Sequence, residues 1–442
     1  MLSQDSSAYP CVIYAKVHFK GKVNPQAMEQ AVTDMLQIHP LLQARLAGGS
    51  GLTRWNLEDM PQCAVTWTEA PPDEHWAEDR FVNLRKESGL RVHIHNYVNS
   101  ENQPHCCMFI GVHHACTDGL GLLNAIEDLC AIYHARLNNE AAKLRNRVVG
   151  LLEERNRFGL NARKILRLLP KHAVGLLGVR QFLMRKPVPL LPQPSASLLH
   201  APKRSILAIR HTFGRDSTST IQAIATGWGV TLNELLACSI FEGIAEFRAQ
   251  RQAQRPEDWL RMMIPVNMRN HADDFKQSAC NIVSSVFLDR TPQQIANSVE
   301  LLKSIHDEME LIKRNRLALI FSYSLWFRSK LNRGRPTPIP AERCQTTLVF
   351  TNLGKPFRKS PALNAEHKLT AGDLTLETVE LLAPLAPLVA AAFSVIYYSK
   401  CLHLSLRYDQ RVLDTPAAES LLAAVCGKLH QWQERAPRKL EC

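Results

Sequence analysis

Residues 105–119 read His105-Cys106-Cys107-Met108-Phe109-Ile110-Gly111-Val112-His113-His114-Ala115-Cys116-Thr117-Asp118-Gly119. Up to Val112 the stretch is a nearly continuous apolar run, the pattern of a buried strand. From Leu120 the apolar residues return as Leu122, Leu123, Ile126, Leu129 and Tyr133, the spacing of a helix with one inward face. The paired histidines therefore stand where a strand ends and a helix begins, on rigid backbone that can aim a side chain into a cleft. Imidazole has the side-chain pKa nearest neutrality, so His113 or His114 can take a proton from a hydroxyl or an amine. Gly119 permits a tight turn beside the base. Asp118, four residues after His114, either holds the ring directly or anchors the loop through an arginine.

Plainer alternatives stand beside this one. The histidines can be ordinary residues at a strand end. Cys116 lies inside the segment, but no base or orienting group is evident for it, and a small buried side chain is expected. Residues 90–98 form a second strand pattern, joined to the apolar run through 99–104. There His93 and His95 share one face, and they approach the His113–His114 pair if the strands adjoin. A zinc site is the rival that this raises; surface alternation explains the two residues equally, and no metal is expected.

Moving outward, residues 12–20 alternate like a strand, and Asn24-Pro25 opens a helix whose face is Ala27, Ala31, Met35 and Ile38. His39-Pro40 ends that helix. Gly48-Gly49-Ser50-Gly51 reads as a hairpin turn; without a following helix or a Walker lysine it is no phosphate loop. Residues 187–202 hold five prolines and predict an extended linker. After it come a strand at 204–213, a helix at 216–228 and a capping box, Thr231-Leu232-Asn233-Glu234, opening a helix to about residue 251. Strands at 260–267 and 281–288, two helices within 293–330, strands at 346–351, 393–399 and 403–408, and a closing helix at 415–432 complete the pattern. Strands and helices mix in each half without regular alternation, which predicts α+β layers. The expected domains are 1–186, carrying the histidine segment, and 204–442, with 187–203 between them.

The chain has 442 residues, enough for two cores of about 200 residues each. Its 12 cysteines are scattered, with no C-x-x-C pair, so reduced thiols and a cytoplasmic home are expected. The first ten residues lack an apolar core, and no apolar run reaches the roughly 18 residues of a membrane span. The formal charge is +12. Residues 143–186 carry most of that excess, and the near-neutral remainder argues against a nucleic-acid partner. A basic window suits anions: coenzyme phosphates, an acidic carrier protein or anionic lipid. Apolar segments at 172–184 and 317–327 lie beside basic residues, which raises a peripheral membrane contact as a further expectation.

His113-His114-x-x-x-Asp118-Gly119 resembles the His-His-x-x-x-Asp-Gly motif of the chloramphenicol acetyltransferase-like superfamily. That group includes condensation domains of peptide synthetases, wax-ester synthases and alcohol acetyltransferases. Supporting likenesses cover most of the chain: His39-Pro40-Leu41-Leu42-x-Ala44-Arg45, 229–236 (Gly-Val-Thr-Leu-Asn-Glu-Leu-Leu), Pro265-Val266-Asn267-Met268-Arg269 and Thr351-Asn352-Leu353-Gly354. The plant signature Asp-Phe-Gly-Trp-Gly is absent, as is the Pro-Leu-Trp start of wax-ester synthases. The resemblance implies two similar α+β domains in a V with an active-site tunnel between them. It implies His114 as general base, Asp118 as a structural residue paired with an arginine, for which Arg269 is the choice, and Asn352 near the tunnel. Catalytic expectations are thus His113, His114 and Asp118, supported by Gly119 and Arg269. The implied activity moves an acyl group from a thioester of coenzyme A or an acyl-carrier protein to a small-molecule or lipid-like hydroxyl or amine. No tightly bound cofactor is expected; coenzyme A or phosphopantetheine serves as co-substrate. Two alternatives are a free-standing condensation enzyme forming amides between carrier-bound units, and an inactive member that binds a carrier or lipid.

Overall fold

In the computed structural model the described residues are 5–48, 53–58, 60–63, 65–72, 81–145, 152, 178, 180–192, 206–269, 278–322 and 343–435. The apolar run before the histidines lies at the heart of the first of two lobes. This lobe's strands are β1 (Val12–Lys20), β4 (Val65–Thr68), β5 (Leu90–Val98) and β6 (Pro104–His113), with a small ribbon of β2 (Arg45–Ala47) and β3 (Arg54–Asn56) beside them. β6 pairs antiparallel with β1 on one side and β5 on the other, so its residues from Cys106 to His113 are buried. α1 (Pro25–Ile38) and α2 (Gly119–Asn138) pack on this sheet through Met28, Ala31, Met35, Leu122, Ile126 and Leu129. The Asn24 side chain accepts from the Ala27 amide at 3.0 Å, and Pro25 supplies the first turn, which is why α1 starts there.

The second lobe contains β7 (Ile206–Phe213), β8 (Leu260–Asn267), β9 (Val283–Arg290), β10 (Leu348–Asn352), β13 (Ala391–Tyr398) and β14 (Cys401–Asp409), in the order β7-β14-β13-β10-β8-β9. α3 (Arg215–Gly227), α4 (Leu232–Gln250), α5 (Ser298–Asn315) and α6 (Thr415–Gln431) share its core. The predicted capping box opens α4: Thr231 accepts from the Glu234 amide, and Glu234 returns the bond to the Thr231 amide at 2.9 Å.

Both lobes are α+β, but the expected boundary between them is corrected in two ways. β11 (Thr370–Ala371) and β12 (Leu374–Leu382) fall within 204–442 in sequence, yet they join the first sheet, giving the order β11-β12-β1-β6-β5-β4. The chain crosses between lobes and back because β1 offers an open edge, which β12 covers along its length. The start of the expected linker also belongs to the second lobe: Val188 donates to the Trp259 carbonyl at 3.0 Å, and Leu190 is fully buried in the second core. Residues 193–203 lie outside the described set, as does the predicted turn at 49–51.

Candidate active site

β6 ends at His113, the chain turns, and α2 begins at Gly119 with Asp118 as its cap. The two histidines separate in role at this corner. His113 is wholly buried; its Nδ1 accepts from the Ala115 amide at 3.1 Å, so Nε2 carries the proton and donates to Asp5 Oδ2 at 3.0 Å. Asp5 also accepts from the Cys11 amide, so His113 ties the N-terminal segment to the corner. The expected catalytic place for His113 is therefore corrected: it is consumed by structure and does not line the cavity.

His114 turns the other way and lines a cavity of about 760 Å³ between the lobes. Its amide donates to the Cys11 carbonyl at 2.7 Å, and its Nδ1 lies 2.9 Å from the Thr117 carbonyl oxygen. A carbonyl can only accept, so Nδ1 bears the hydrogen and Nε2 is the basic nitrogen. Asn281 steadies the residue from the second lobe: its Nδ2 donates to the His114 carbonyl at 2.7 Å and lies 3.2 Å from Nδ1. Burial pushes the imidazole below its ordinary value, against the opposing pull of the Thr117 bond and the Asp118 charge. His114 is thus a neutral base at neutral pH.

Asp118 does not touch the ring. Its Oδ1 accepts from the Gly121 amide at 2.9 Å, capping α2. Its Oδ2 accepts from Arg269 Nη1 and from the Ile282 amide, both at 2.8 Å. Arg269 also donates through Nη2 to the Cys280 carbonyl at 2.7 Å. Of the two roles left open for Asp118, the structure has the second: a buried ion pair that joins the lobes. Gly119 sits close against leucine side chains. Its φ lies outside the left-handed region, but a Cβ there would stand 2.6 Å from Leu353 Cδ2. Asn352 lines the cavity; it donates to Asn233 Oδ1 at 2.5 Å and accepts from the Gly354 amide at 2.7 Å.

Three residues carry weight that the motif alone does not reveal. Gly121 leaves no space for a side chain, since a Cβ would lie 2.2 Å from Thr117 Oγ1 and 3.3 Å from the Cys280 backbone. Asn281 was visible only as a strand start. His39 is fully buried, accepts from the Ala279 amide at 2.8 Å through Nδ1 and donates to Asp128 Oδ2 at 3.0 Å. His39, Arg269 and Asp118 thereby pin residues 279–282 of the second lobe beneath His114.

Other expectations resolve as well. β5 does adjoin β6, but the register sets His93 opposite Phe109 and His95 opposite Cys107, away from His114. His93 Nδ1 lies 2.6 Å from Thr66 Oγ1 and His95 Nδ1 2.9 Å from the Ala70 carbonyl oxygen, and no group of three or more metal-binding side chains occurs among the described residues. Cys116 is buried with its sulfur against Gly89. Most of the basic window lies outside the described residues. Leu317, Ile320 and Phe321, from the apolar segment 317–327, line the cavity, and residues 323–327 lie outside the described set. No single described helix is long and apolar enough to cross a membrane.

A second hollow, of about 320 Å³, opens beside the first and shares Leu120, Asn267 and Leu353 with it. Its rim is basic: Lys355, Arg358 and Lys359 come from the crossover after β10, and Arg145 faces them beside Glu127.

No protein-family model matches the chain, and no curated protein matches it. Solved structures do. The SgcC5 protein from Streptomyces globisporus superposes with a TM-score of 0.68 at 15% identity, covering 97% of this chain and 94% of its own. TRI3 trichothecene 15-O-acetyltransferase from Fusarium sporotrichioides gives 0.66 at 11% identity, over 98% and 93%. The first condensation domain of the calcium-dependent antibiotic synthetase gives 0.67 at 10%, over 99% and 95%. The chain has the two-lobed chloramphenicol acetyltransferase-like fold that these proteins share.

Proposed function

We propose that this chain is an acyltransferase that moves an acyl group from a thioester to a hydroxyl or amine, with His114 as general base. The observation that carries this is the hydrogen bond from His114 Nδ1 to the Thr117 carbonyl, which leaves Nε2 as the basic nitrogen of a residue lining the interlobe cavity. Nε2 removes the acceptor's proton as its oxygen or nitrogen attacks the thioester carbon. The tetrahedral oxyanion then collapses, the C–S bond breaks, and the imidazolium returns the proton to the departing thiolate. A positioned base of this kind contributes about 10²- to 10⁴-fold. His113, Asp118 and Arg269 position the corner through the bonds described above.

The basic hollow supports a donor with an anionic handle, either coenzyme A or the phosphopantetheine of a carrier protein. Lys355, Arg358 and Lys359 would meet its phosphates, and the shared wall at Leu120, Asn267 and Leu353 lets the thioester reach His114. The same geometry serves a condensation reaction, in which the acceptor amine also sits on a carrier. An inactive binding protein would have no use for the tautomer lock on His114.

The test is thiol release from acetyl-, octanoyl- and palmitoyl-coenzyme A and from an acylated carrier protein, each with a panel of alcohols and amines. Acceptor-dependent release is expected from at least one donor. No release above the protein-free blank from any pairing contradicts the proposal.

A further inference from the structure

We infer that the arm of the cavity leading away from His114 over the second sheet is a slot for a medium-length apolar acyl chain, and that Phe182, Phe287 and Phe321 are its stop. This rests on the acyltransferase reading above and names the donor class.

The slot's floor is a register. In the antiparallel pair of β8 and β9, Asn267 faces Val283, then Pro265 faces Ser285, then Met263 faces Phe287. All six line the cavity, because alternate residues of a strand share one face. The Asn267–Val283 pair lies at the catalytic end, two residues from both Arg269, which holds Asp118, and Asn281, which holds His114. Ile312, Leu317 and Ile320 line the same cavity. Between the two ends, Ser285 is the single polar floor residue among the described ones.

At Phe287 three rings gather, one floor pair before Asp289, which also lines the cavity. The Phe287 ring centroid lies 4.8 Å from that of Phe182 and 5.4 Å from that of Phe321, three rings from separate segments in mutual contact. Beyond them, the next floor pair is charged: Arg261 Nε and Nη2 donate to the Asp289 carboxylate at 2.7 and 2.9 Å, with the guanidinium 4.3 Å from the Phe182 ring. Hydrocarbon gains nothing by reaching a buried, fully paired ion pair. From Val283 to Phe287 the floor runs four residues, about 13 Å at the rise of a strand. An octanoyl or decanoyl chain fills that length, and a palmitoyl chain overruns it.

The occupant is the acyl group because of where the basic hollow joins the cavity. It meets the slot at Asn267, the catalytic end of the floor. A thioester anchored there by its phosphates presents its carbonyl at His114, and its acyl tail continues away from the hollow, towards Phe287.

The test measures kcat/KM for thiol release with a fixed acceptor across acetyl, octanoyl, decanoyl and palmitoyl donors. The wild type is expected to gain up to about fourfold per methylene to decanoyl, then to fall at palmitoyl. Ser285→Phe fills the slot and lowers the octanoyl-to-acetyl ratio at least tenfold, roughly the worth of two methylenes; Ser285→Leu does so in part. Phe287→Ala raises the palmitoyl-to-octanoyl ratio. A flat wild-type profile, or ratios that do not move in Ser285→Phe and Ser285→Leu, overturns the slot. So does a shift in acceptor-length preference in place of donor-length preference. Calorimetry with a non-reactive thioether of decanoyl-coenzyme A on His114→Ala separates the two claims. If binding there depends on chain length and weakens in Ser285→Phe while no variant turns over, the slot stands and the acyltransferase reading falls.

Discussion

Arg269 and Asp118 meet across the two lobes at 2.8 Å, and the carboxylate they share also caps the helix that begins beside His114. One ion pair therefore sets both the lobe-to-lobe fit and the direction of the catalytic corner. Both side chains are 2% exposed, so neither charge can turn to water if the other is removed.

Arg269→Ala is expected to cost about 3–5 kcal/mol, because it strands a buried carboxylate. Arg269→Lys does not restore the loss, since one ammonium cannot reach both Asp118 and the Cys280 carbonyl. Urea denaturation checks both variants; a loss under 1 kcal/mol for the alanine variant contradicts the pairing.

Gly121→Ala drives a methyl group into Thr117 Oγ1 and against the Cys280 backbone. A loss of about 1–3 kcal/mol is expected. Part of it comes from the threonine, so in the double variant Thr117→Ala, Gly121→Ala the two losses are less than additive. Thermal unfolding of the four proteins gives the comparison.

His113→Gln should lower stability by about 1–3 kcal/mol through the orphaned Asp5 carboxylate and Ala115 amide. The acid limb of its pH–rate profile should match the wild type. A shifted limb would give His113 a part in proton transfer.

Burial lowers the His114 pKa, and in the proposed reaction the neutral ring is the active form. The acid limb of kcat/KM should therefore have its midpoint below the ordinary imidazole value of about 6.5. Activity persists as pH falls to 6.5 and is lost as it passes the lowered value. A midpoint above 6.5 contradicts the environment described for this ring.

Stability carries its own pH signature. Burial holds His18 and His403 down at about 4 from 6.5. Between those values the unfolded chain binds protons that the folded chain refuses, so stability is full above pH 6.5 and declines as pH drops towards 4. Urea midpoints at pH 7 and pH 5 measure the decline, and His403→Gln should reduce it.

Much of this was legible in the sequence because local rules and tertiary packing agree. Asn24 and Thr231 cap the helices that follow them, and the apolar run before His113 is a central strand. The Asp118–Arg269 pair and the position of Asn352 in the cavity wall match what the resemblance implied. β12 was missed for a physical reason. Its pairing with β1 slips between His18 and Phe19, so inward residues change from Leu374 and Leu376 to Val379 and Leu381, and the alternation that marks a strand breaks at Glu377. His113 was misassigned because adjacent residues at a strand end face opposite ways, and only the fold shows which one meets the cavity. Of the apolar segment 317–327, Leu317, Ile320 and Phe321 line the cavity, and an apolar run has the same pattern whether it faces a cavity or a lipid surface. Asn281 acts through a contact 167 positions away, and Gly121 is pressed both by Thr117 and by the distant Cys280 backbone, so no local pattern encodes either in full.

The most direct test is the His114→Ala protein, with donor affinity and the chemical step measured separately. Donor Kd by calorimetry should stay within about threefold of the wild type, while single-turnover acyl transfer slows at least about 100-fold. Transfer at the wild-type rate in the alanine protein would contradict a base at this position, however well the cavity holds its donor.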